Sequence, residues 1–226
     1  MLKEKRSEPQ TFSYEAEKNF YIGRLPREAL PYLHLEPYLR CWLDPERVFG
    51  GKRVLDIGAG ECTYTRLVAD RFGPHSIVAC ELFYERMLPA FRAYQNPVLK
   101  AVAGDCFHLP FRNRSFDVVM ASLVLHQLPN LKDVVMELAR VLKPGGLFVG
   151  WNPNPFNPFM LYHFFVKPCS PNQYLFWPHK VCPVFEDSGF TATTRFFYAK
   201  LPWVRNRFLG TCIGIVAQLQ NGAWVD

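Results

Sequence analysis

The chain has 226 residues, 49% hydrophobic and 20% charged, which suits one soluble domain with a sizeable core. Its formal charge of +6 comes from dispersed lysines and arginines with no long basic run, so nucleic-acid binding is not expected. The apolar runs Val118 to Leu125 and Phe208 to Leu219 are too short or too interrupted to span a membrane, and the opening MLKEKRSEPQ lacks a signal peptide's apolar core, so a cytoplasmic location is expected. Seven cysteines without a CxxC pair read as reduced thiols, and no metal site is expected.

In chain order, a polar arm runs through Gln10. Thr11 to Gly23 reads as a helix or a folding flap anchored by Phe12, Tyr14, Phe20 and Tyr21, and Glu28 to Leu43 as short helical pieces divided by Pro31 and Pro37. Residues 1–51 thus form an N-terminal arm and helical flap, and the main domain takes 52–226. Val54, Leu55 and Ile57 make a short buried strand that Gly58 and Gly60 break. Helix is expected over Tyr64 to Phe72, strand over Ser76 to Glu81, helix over Tyr84 to Tyr94 despite Pro89, and strand over Val98 to Gly104. A strand over Phe116 to Ala121 follows, then a helix over Lys132 to Leu142 stopped by Pro144-Gly145-Gly146, and a strand over Leu147 to Trp151. This alternation predicts an open α/β sheet, mostly parallel, with helices on both faces. Its ligand belongs beyond the carboxyl ends of the strands, where strand order reverses.

The acids fit that position. Asp56 lies inside the first strand, where a carboxylate needs a cationic or hydroxyl-bearing partner. Glu81 ends the second strand 21 positions after Gly60, suited to accept both hydroxyls of a ribose, and Asp105 follows the third strand, suited to an exocyclic amine. Each acid alone is equally a helix or turn cap. Three at successive strand ends beside a glycine turn point to a nucleoside-bearing ligand. A dinucleotide dehydrogenase also wants an acid after its second strand, but its third glycine is absent here.

In order, Asp56-Ile57-Gly58-Ala59-Gly60, Glu81, Gly104-Asp105, Phe116-Asp117-Val118-Val119 and Leu142-Lys143-Pro144-Gly145-Gly146 resemble the motifs of class I S-adenosylmethionine-dependent methyltransferases. In particular they resemble the broad small-molecule group that includes ubiquinone and menaquinone methylases, methyltransferase type 11. The resemblance covers about Lys52 to Trp151. It implies a Rossmann-like, seven-stranded, mostly parallel sheet whose last strand is antiparallel, and S-adenosyl-L-methionine as cofactor. By the same resemblance Gly58, Ala59 and Gly60 lie against the methionine part, and Asp56 supports the turn and the ammonium group. Glu81 and Leu82 serve the ribose, Asp105 and Cys106 the adenine, and Ala121 and Ser122 line the site near the sulfonium. Cys62 stands where many relatives have another glycine.

The resemblance implies methyl transfer to a small acceptor on oxygen, nitrogen or carbon. His126, in ASLVLHQLP, is the expected base because an ordinary histidine titrates near neutral pH; the plainer reading is that it packs against the cofactor or caps a turn. Tyr14 and Tyr21 are expected to assist from the flap, as a tyrosine and histidine pair does in some related enzymes.

An aromatic insertion at about 152–180 opens on NPNPFNP. Trp151, Phe156, Phe159, Tyr162, Phe164, Phe165, Tyr174, Phe176 and Trp177 are expected to form a lid or line an apolar pocket, since prolines this dense resist a regular helix; core packing is the alternative. A peripheral membrane contact, edged by Lys167, Lys180, His163 and His179, would suit a lipid-like acceptor. A helix over Pro178 to Ser188 and strands over Thr191 to Ala199 and Cys212 to Leu219 complete the chain. Two other functions fit the same fold: a cofactor-binding scaffold without turnover, and methylation of RNA or protein. The second is disfavoured because Ser122-Leu123-Val124-Leu125 replaces the Asn/Asp-Pro-Pro-aromatic signature of many nucleic-acid methylases.

Overall fold

The structure, a computed structural model, describes residues 13–22, 30–166, 172–198 and 206–221. The expectations for the arm through Gln10, Phe12, Lys167, Cys169 and Ala199 fall outside them. Helix α1 (Tyr14–Ile22) comes first. A 3-10 turn at Leu33–Leu35 leads into α2 (Glu36–Arg40), and α3 (Pro45–Phe49) follows. Pro37 and Pro45 sit in first helical turns, where a missing N–H leaves no bond unmade.

The main domain runs β1 (Arg53–Ile57), α4 (Thr63–Arg71), β2 (Ser76–Glu81), α5 (Leu88–Ala93), β3 (Leu99–Ala103), β4 (Phe116–Ser122), α6 (Leu131–Val141) and β5 (Leu142–Pro153). Helices α7 (Pro158–Val166) and α8 (Pro178–Glu186) precede β6 (Phe190–Phe197) and β7 (Cys212–Leu219). The strands form one seven-stranded sheet in the order β3-β2-β1-β4-β5-β7-β6. The neighbouring pairs from β3 to β5 are parallel, while β7 runs antiparallel to both β5 and β6. The expected Rossmann-like sheet with an antiparallel last strand is therefore present. Among the described residues no helix is long and apolar enough to cross a membrane.

Three segments depart from expectation. Tyr84 to Tyr94 is not one helix: a 3-10 turn at Tyr84–Arg86 ends, and α5 restarts with Pro89 in its first turn. Pro89 can begin a helix but cannot continue one. Pro144-Gly145-Gly146 does not separate helix from strand, because the chain is already extended at Leu142. The register with β4 slips between Phe116↔Leu142 and Val118↔Leu147, and this bulge accommodates the proline. A nine-residue helix, α7, forms where dense prolines argued against one. Pro158 begins it, and Asn157 Oδ1 caps it by accepting from Phe159 N at 3.0 Å and Met160 N at 3.1 Å.

Alternation along the strands divides the core into two layers. Leu55, Ile57, Val119, Ala121 and Phe148 face α6 and α8, meeting Leu138 and Phe185. Val54, Ile77, Val118, Met120 and Val149 face the other way, toward Trp42, Phe49, Leu67 and Phe72. Trp151 belongs to this second layer, with its ring 4.6 Å from Tyr64 and 5.8 Å from Trp42. Phe176 packs in the first layer. These two are core residues, not part of a lid.

Phe148 is fully buried with its ring 5.1 Å from that of Phe185. Phe148→Ala is expected to destabilise the protein by about 3–5 kcal/mol. Urea unfolding should show this as a lower midpoint at unchanged slope.

Candidate active site

The strand order reverses between β1 and β4, and a cleft of about 400 Å³ opens there. It is walled by the turn after β1, the end of β2, the loop after β3, residues 122–128 and two side chains of α1. Of the expected residues, Asp56, Gly58, Ala59, Gly60, Glu81, Leu82, Asp105, Cys106, Ser122, His126 and Tyr21 all line it. Ala121 does not: its side chain is buried in the layer facing α6. Tyr14 is not in the wall either, although it touches Asp105.

The turn is shaped by left-handed backbone at Gly58 (φ 60°), Gly60 (φ 54°) and Cys62 (φ 55°). A Cβ on Gly58 would lie 2.5 Å from Val124 Cγ2, and one on Gly60 would lie 2.9 Å from the Arg86 guanidinium, so a side chain at the first would clash and one at the second would displace Arg86, each on strained backbone. Cys62 adopts the same conformation with a side chain, and that side chain packs in the layer behind the turn, away from the cleft. Glu81 fastens the turn from β2: its Oε2 accepts from Gly60 N at 2.8 Å and its Oε1 from Phe83 N at 3.2 Å.

Asp56 is the most unusual group. It is buried, its Oδ2 accepts from Thr65 Oγ1 at 2.5 Å, and its Oδ1 is buried with no hydrogen-bond partner. Desolvation pushes its pKa up from 3.8 to about 7, against the Thr65 bond and with help from the charge of Glu81. An orphaned carboxylate oxygen in a cleft wall fits a ligand that brings an ammonium group.

Helix α1 closes over one side of this cleft through three contacts. Tyr14 Oη donates to Asp105 Oδ2 at 2.6 Å. Asn172 donates to Glu17 Oε1 from its backbone N at 3.1 Å and its Nδ2 at 2.8 Å. Tyr21 Oη donates to Gln127 Oε1 at 3.1 Å, and its ring lies 4.0 Å from the Arg86 guanidinium. Burial and the Asp105 carboxylate push the Tyr14 hydroxyl up to about 12, so it stays a donor. The expected grouping of both tyrosines with the histidine therefore splits: Tyr14 bonds Asp105, and Tyr21 bonds the residue next to His126.

His126 is buried with its Nδ1 and its backbone N each 3.1 Å from Asn152 Oδ1. A backbone N–H can only donate, so the shared atom is the oxygen, Nδ1 carries the proton and Nε2 keeps its lone pair. Burial pushes the histidine pKa down to about 4, only partly offset by Asn152. The near-neutral pKa expected of it is overturned: this imidazole is neutral throughout the physiological range.

Sequence reasoning missed Arg86, which binds Glu61 Oε1 at 2.9 Å and lies 3.9 Å from Glu81 Oε2. A lone cation five positions past Glu81 was the available signal. It also missed Leu123, a non-glycine at φ 57° that lines both this cleft and a second cavity of about 510 Å³. The two share Leu123 and Pro153, and the second adds Asn157, Phe159, Met160, Tyr198, Thr211 and Cys212.

Residues 55–150 match a family model described as a methyltransferase domain. Demethylmenaquinone methyltransferase of Geobacillus stearothermophilus is 32% identical over 126 residues, covering 52% of this chain and 53% of that protein. A Listeria welshimeri protein of the same name is 34% identical over 104 residues, covering 44% of each. The chain thus spans about half the length of the curated relatives it matches. An S-adenosylmethionine dependent methyltransferase from Mesorhizobium loti superposes with a TM-score of 0.66 at 18% identity, covering 82% of this chain and 97% of that one. The [4+2]-cyclase SpnF superposes at 0.60 with 14% identity, covering 78% and 77%. The family match and the neighbours named for S-adenosylmethionine agree with the expected cofactor, and the orphaned Asp56 oxygen fits its ammonium group.

Because Asp56 is held neutral below about pH 7, a ligand ammonium group that favours the carboxylate must displace its proton. Binding of S-adenosylhomocysteine is expected to release a proton near pH 6.5, with affinity rising toward pH 7 and then levelling. Calorimetry in buffers of differing ionisation enthalpy checks this, and Asp56→Asn should remove the buffer dependence. In the ligand-free protein the sign is opposite: the unfolded chain ionises first, so the Asp56 contribution to stability falls as pH rises from about 3.8 to about 7.

Proposed function

We propose that this chain, which carries a methyltransferase domain over residues 55–150, transfers a methyl group from S-adenosyl-L-methionine to a small apolar or aromatic acceptor. The observation that carries the acceptor class is the second cavity, apolar for most of its lining and adjacent to the cleft, with which it shares Leu123 and Pro153. The names of the demethylmenaquinone methyltransferase relatives support an acceptor of the same apolar and aromatic character.

The cofactor supplies an activated sulfonium methyl, so transfer is a displacement and the chain's task is alignment. Asp56 holds the ammonium group and the Gly58-Ala59-Gly60 turn lies against the methionine part. Glu81, with Leu82, serves the ribose, and Asp105, with Cys106, the adenine end, where Tyr14 also competes for the carboxylate. Ser122 and Leu123 stand at the passage toward the acceptor, and Ala121 supports them from below.

His126 accepts the acceptor's proton at Nε2 when that atom carries one. With a pKa near 4 it is always available but weakly basic, so it acts best on a proton made acidic by the positive charge that the acceptor atom gains as the methyl group bonds to it. Tyr21, through Gln127, holds α1 against the same side. We take residues 1–51 as the arm and flap and 52–226 as the catalytic domain, working in a reducing, cytoplasmic compartment that its scattered thiols suit.

The test is transfer of a labelled methyl group from S-adenosylmethionine to a panel of apolar phenols, quinols and amines. Label is expected in at least one apolar product, and His126→Ala is expected to lower turnover by about a hundredfold at unchanged S-adenosylhomocysteine affinity. Unchanged turnover would remove His126 from the chemistry. Absence of transfer across the panel, from protein that binds the cofactor product, would contradict the apolar acceptor.

A further inference from the structure

Helix α7 is unlike the other helices of the domain. Its nine residues, PFMLYHFFV, carry no acid, lysine or arginine, and none of them is buried. Phe159, Tyr162 and Phe165 are each more than half exposed, as are Phe208 and Leu209 in the loop beside the helix. Clustered exposed aromatic groups of this kind mark a contact surface.

The two segments are fixed together from below by the NPNPFNP asparagines. Asn154 Nδ2 donates to the backbone oxygens of Arg207 and Gly210 at 2.7 Å each, and Asn157 Nδ2 donates to Leu209 O at 3.1 Å. Both asparagines are buried. Helix and loop therefore present one apolar surface held by internal hydrogen bonds, and its inner side forms part of the second cavity through Phe159 and Met160.

The sequence around these segments is weighted toward cations. Between Trp151 and Val225 it carries Lys167, Lys180, Arg195, Lys200, Arg205 and Arg207 against two acids, Glu186 and Asp187. Arg207 is exposed and packs over Phe208 at 4.7 Å and Phe156 at 5.5 Å. Phe156 in turn meets Trp177 at 5.1 Å, at the start of α8 where His179 and Lys180 are exposed. Aromatic side chains edged by cations in this way match the interface of a bilayer that carries anionic headgroups. A nine-residue helix is too short to span, so the contact is peripheral.

We propose that α7 and the 206–210 loop dock this protein on an anionic lipid surface, with the second cavity opening beside the contact. The docking rests on this surface alone. Delivery of an apolar acceptor from the bilayer into that cavity rests, in addition, on the methyl-transfer reading above.

The experiment is co-sedimentation of the full chain with vesicles of phosphatidylcholine, with and without phosphatidylglycerol, over a range of salt, beside calorimetric titration with S-adenosylhomocysteine. Binding is expected to vesicles containing phosphatidylglycerol and to weaken as salt rises. The variant Phe165→Ser with Leu209→Ser is expected to lose roughly tenfold in vesicle affinity, with S-adenosylhomocysteine affinity unchanged because neither residue lines the cofactor cleft. Absence of vesicle binding by folded protein overturns the proposal, as does equal binding to both vesicle types. A concentration-dependent dimer that the double variant dissolves, in protein that ignores vesicles, would make the surface an interface between copies and would equally overturn it. Loss of cofactor binding with vesicle binding retained would contradict the methyl-transfer reading and leave the docking standing.

Discussion

The site depends on a turn that passes through left-handed backbone three times in five residues, at Gly58, Gly60 and Cys62. That geometry lifts the chain off the end of β1 and leaves Asp56 below it with one oxygen on Thr65 and the other on nothing. It is held from the neighbouring strand by the 2.8 Å bond from Gly60 N to Glu81 and the 3.1 Å bond from Ala59 N to Cys80 O. The proposed ribose acid is therefore also the brace of the turn. Losing that carboxylate removes a ligand group and leaves a buried N–H unpaired, and each effect weakens binding. Cys62 pays the strain that a glycine at the same position avoids, and packing of its thiol behind the turn offsets it.

Opposite this rigid turn is a wall made of separable contacts. Helix α1 is attached through Tyr14 to Asp105, Glu17 to Asn172, and Tyr21 to Gln127 and Arg86. Two of these partners, Asp105 and Arg86, also belong to the cleft. A ligand that takes Asp105 competes with Tyr14, so the packing of α1 and occupancy of the proposed adenine end are coupled through one carboxylate. The Glu17 contact joins α1 to Asn172, in the segment between α7 and α8.

Most of the sheet was legible because its strands are buried on both faces and read as short apolar runs between turn signals. Ser76–Glu81 and Cys212–Leu219 match the expected bounds. What local pattern could not convey was long-range geometry. Pro144 reads as a stop, but a bulge against β4 takes it into a strand. Pro158 reads as a breaker, but behind the capping Asn157 it starts a helix. His126 reads as a neutral-pH base, but the depth at which Asn152 holds it decides its pKa. That the three acids share one cleft was readable because three carboxylates at successive strand ends are a one-dimensional signal; the place of Arg86 was not, since it depends on Tyr21 and Glu61 reaching it from distant parts of the chain.

The central claim is that this cleft is built for S-adenosylmethionine and not for a dinucleotide. Calorimetric titration of the folded chain with S-adenosylhomocysteine, beside NAD and beside Glu81→Ala, tests it most directly. The account predicts micromolar binding, about 8 kcal/mol, to S-adenosylhomocysteine alone, weakened about tenfold or more in Glu81→Ala. Silence with S-adenosylhomocysteine, or binding of NAD in its place, would contradict it.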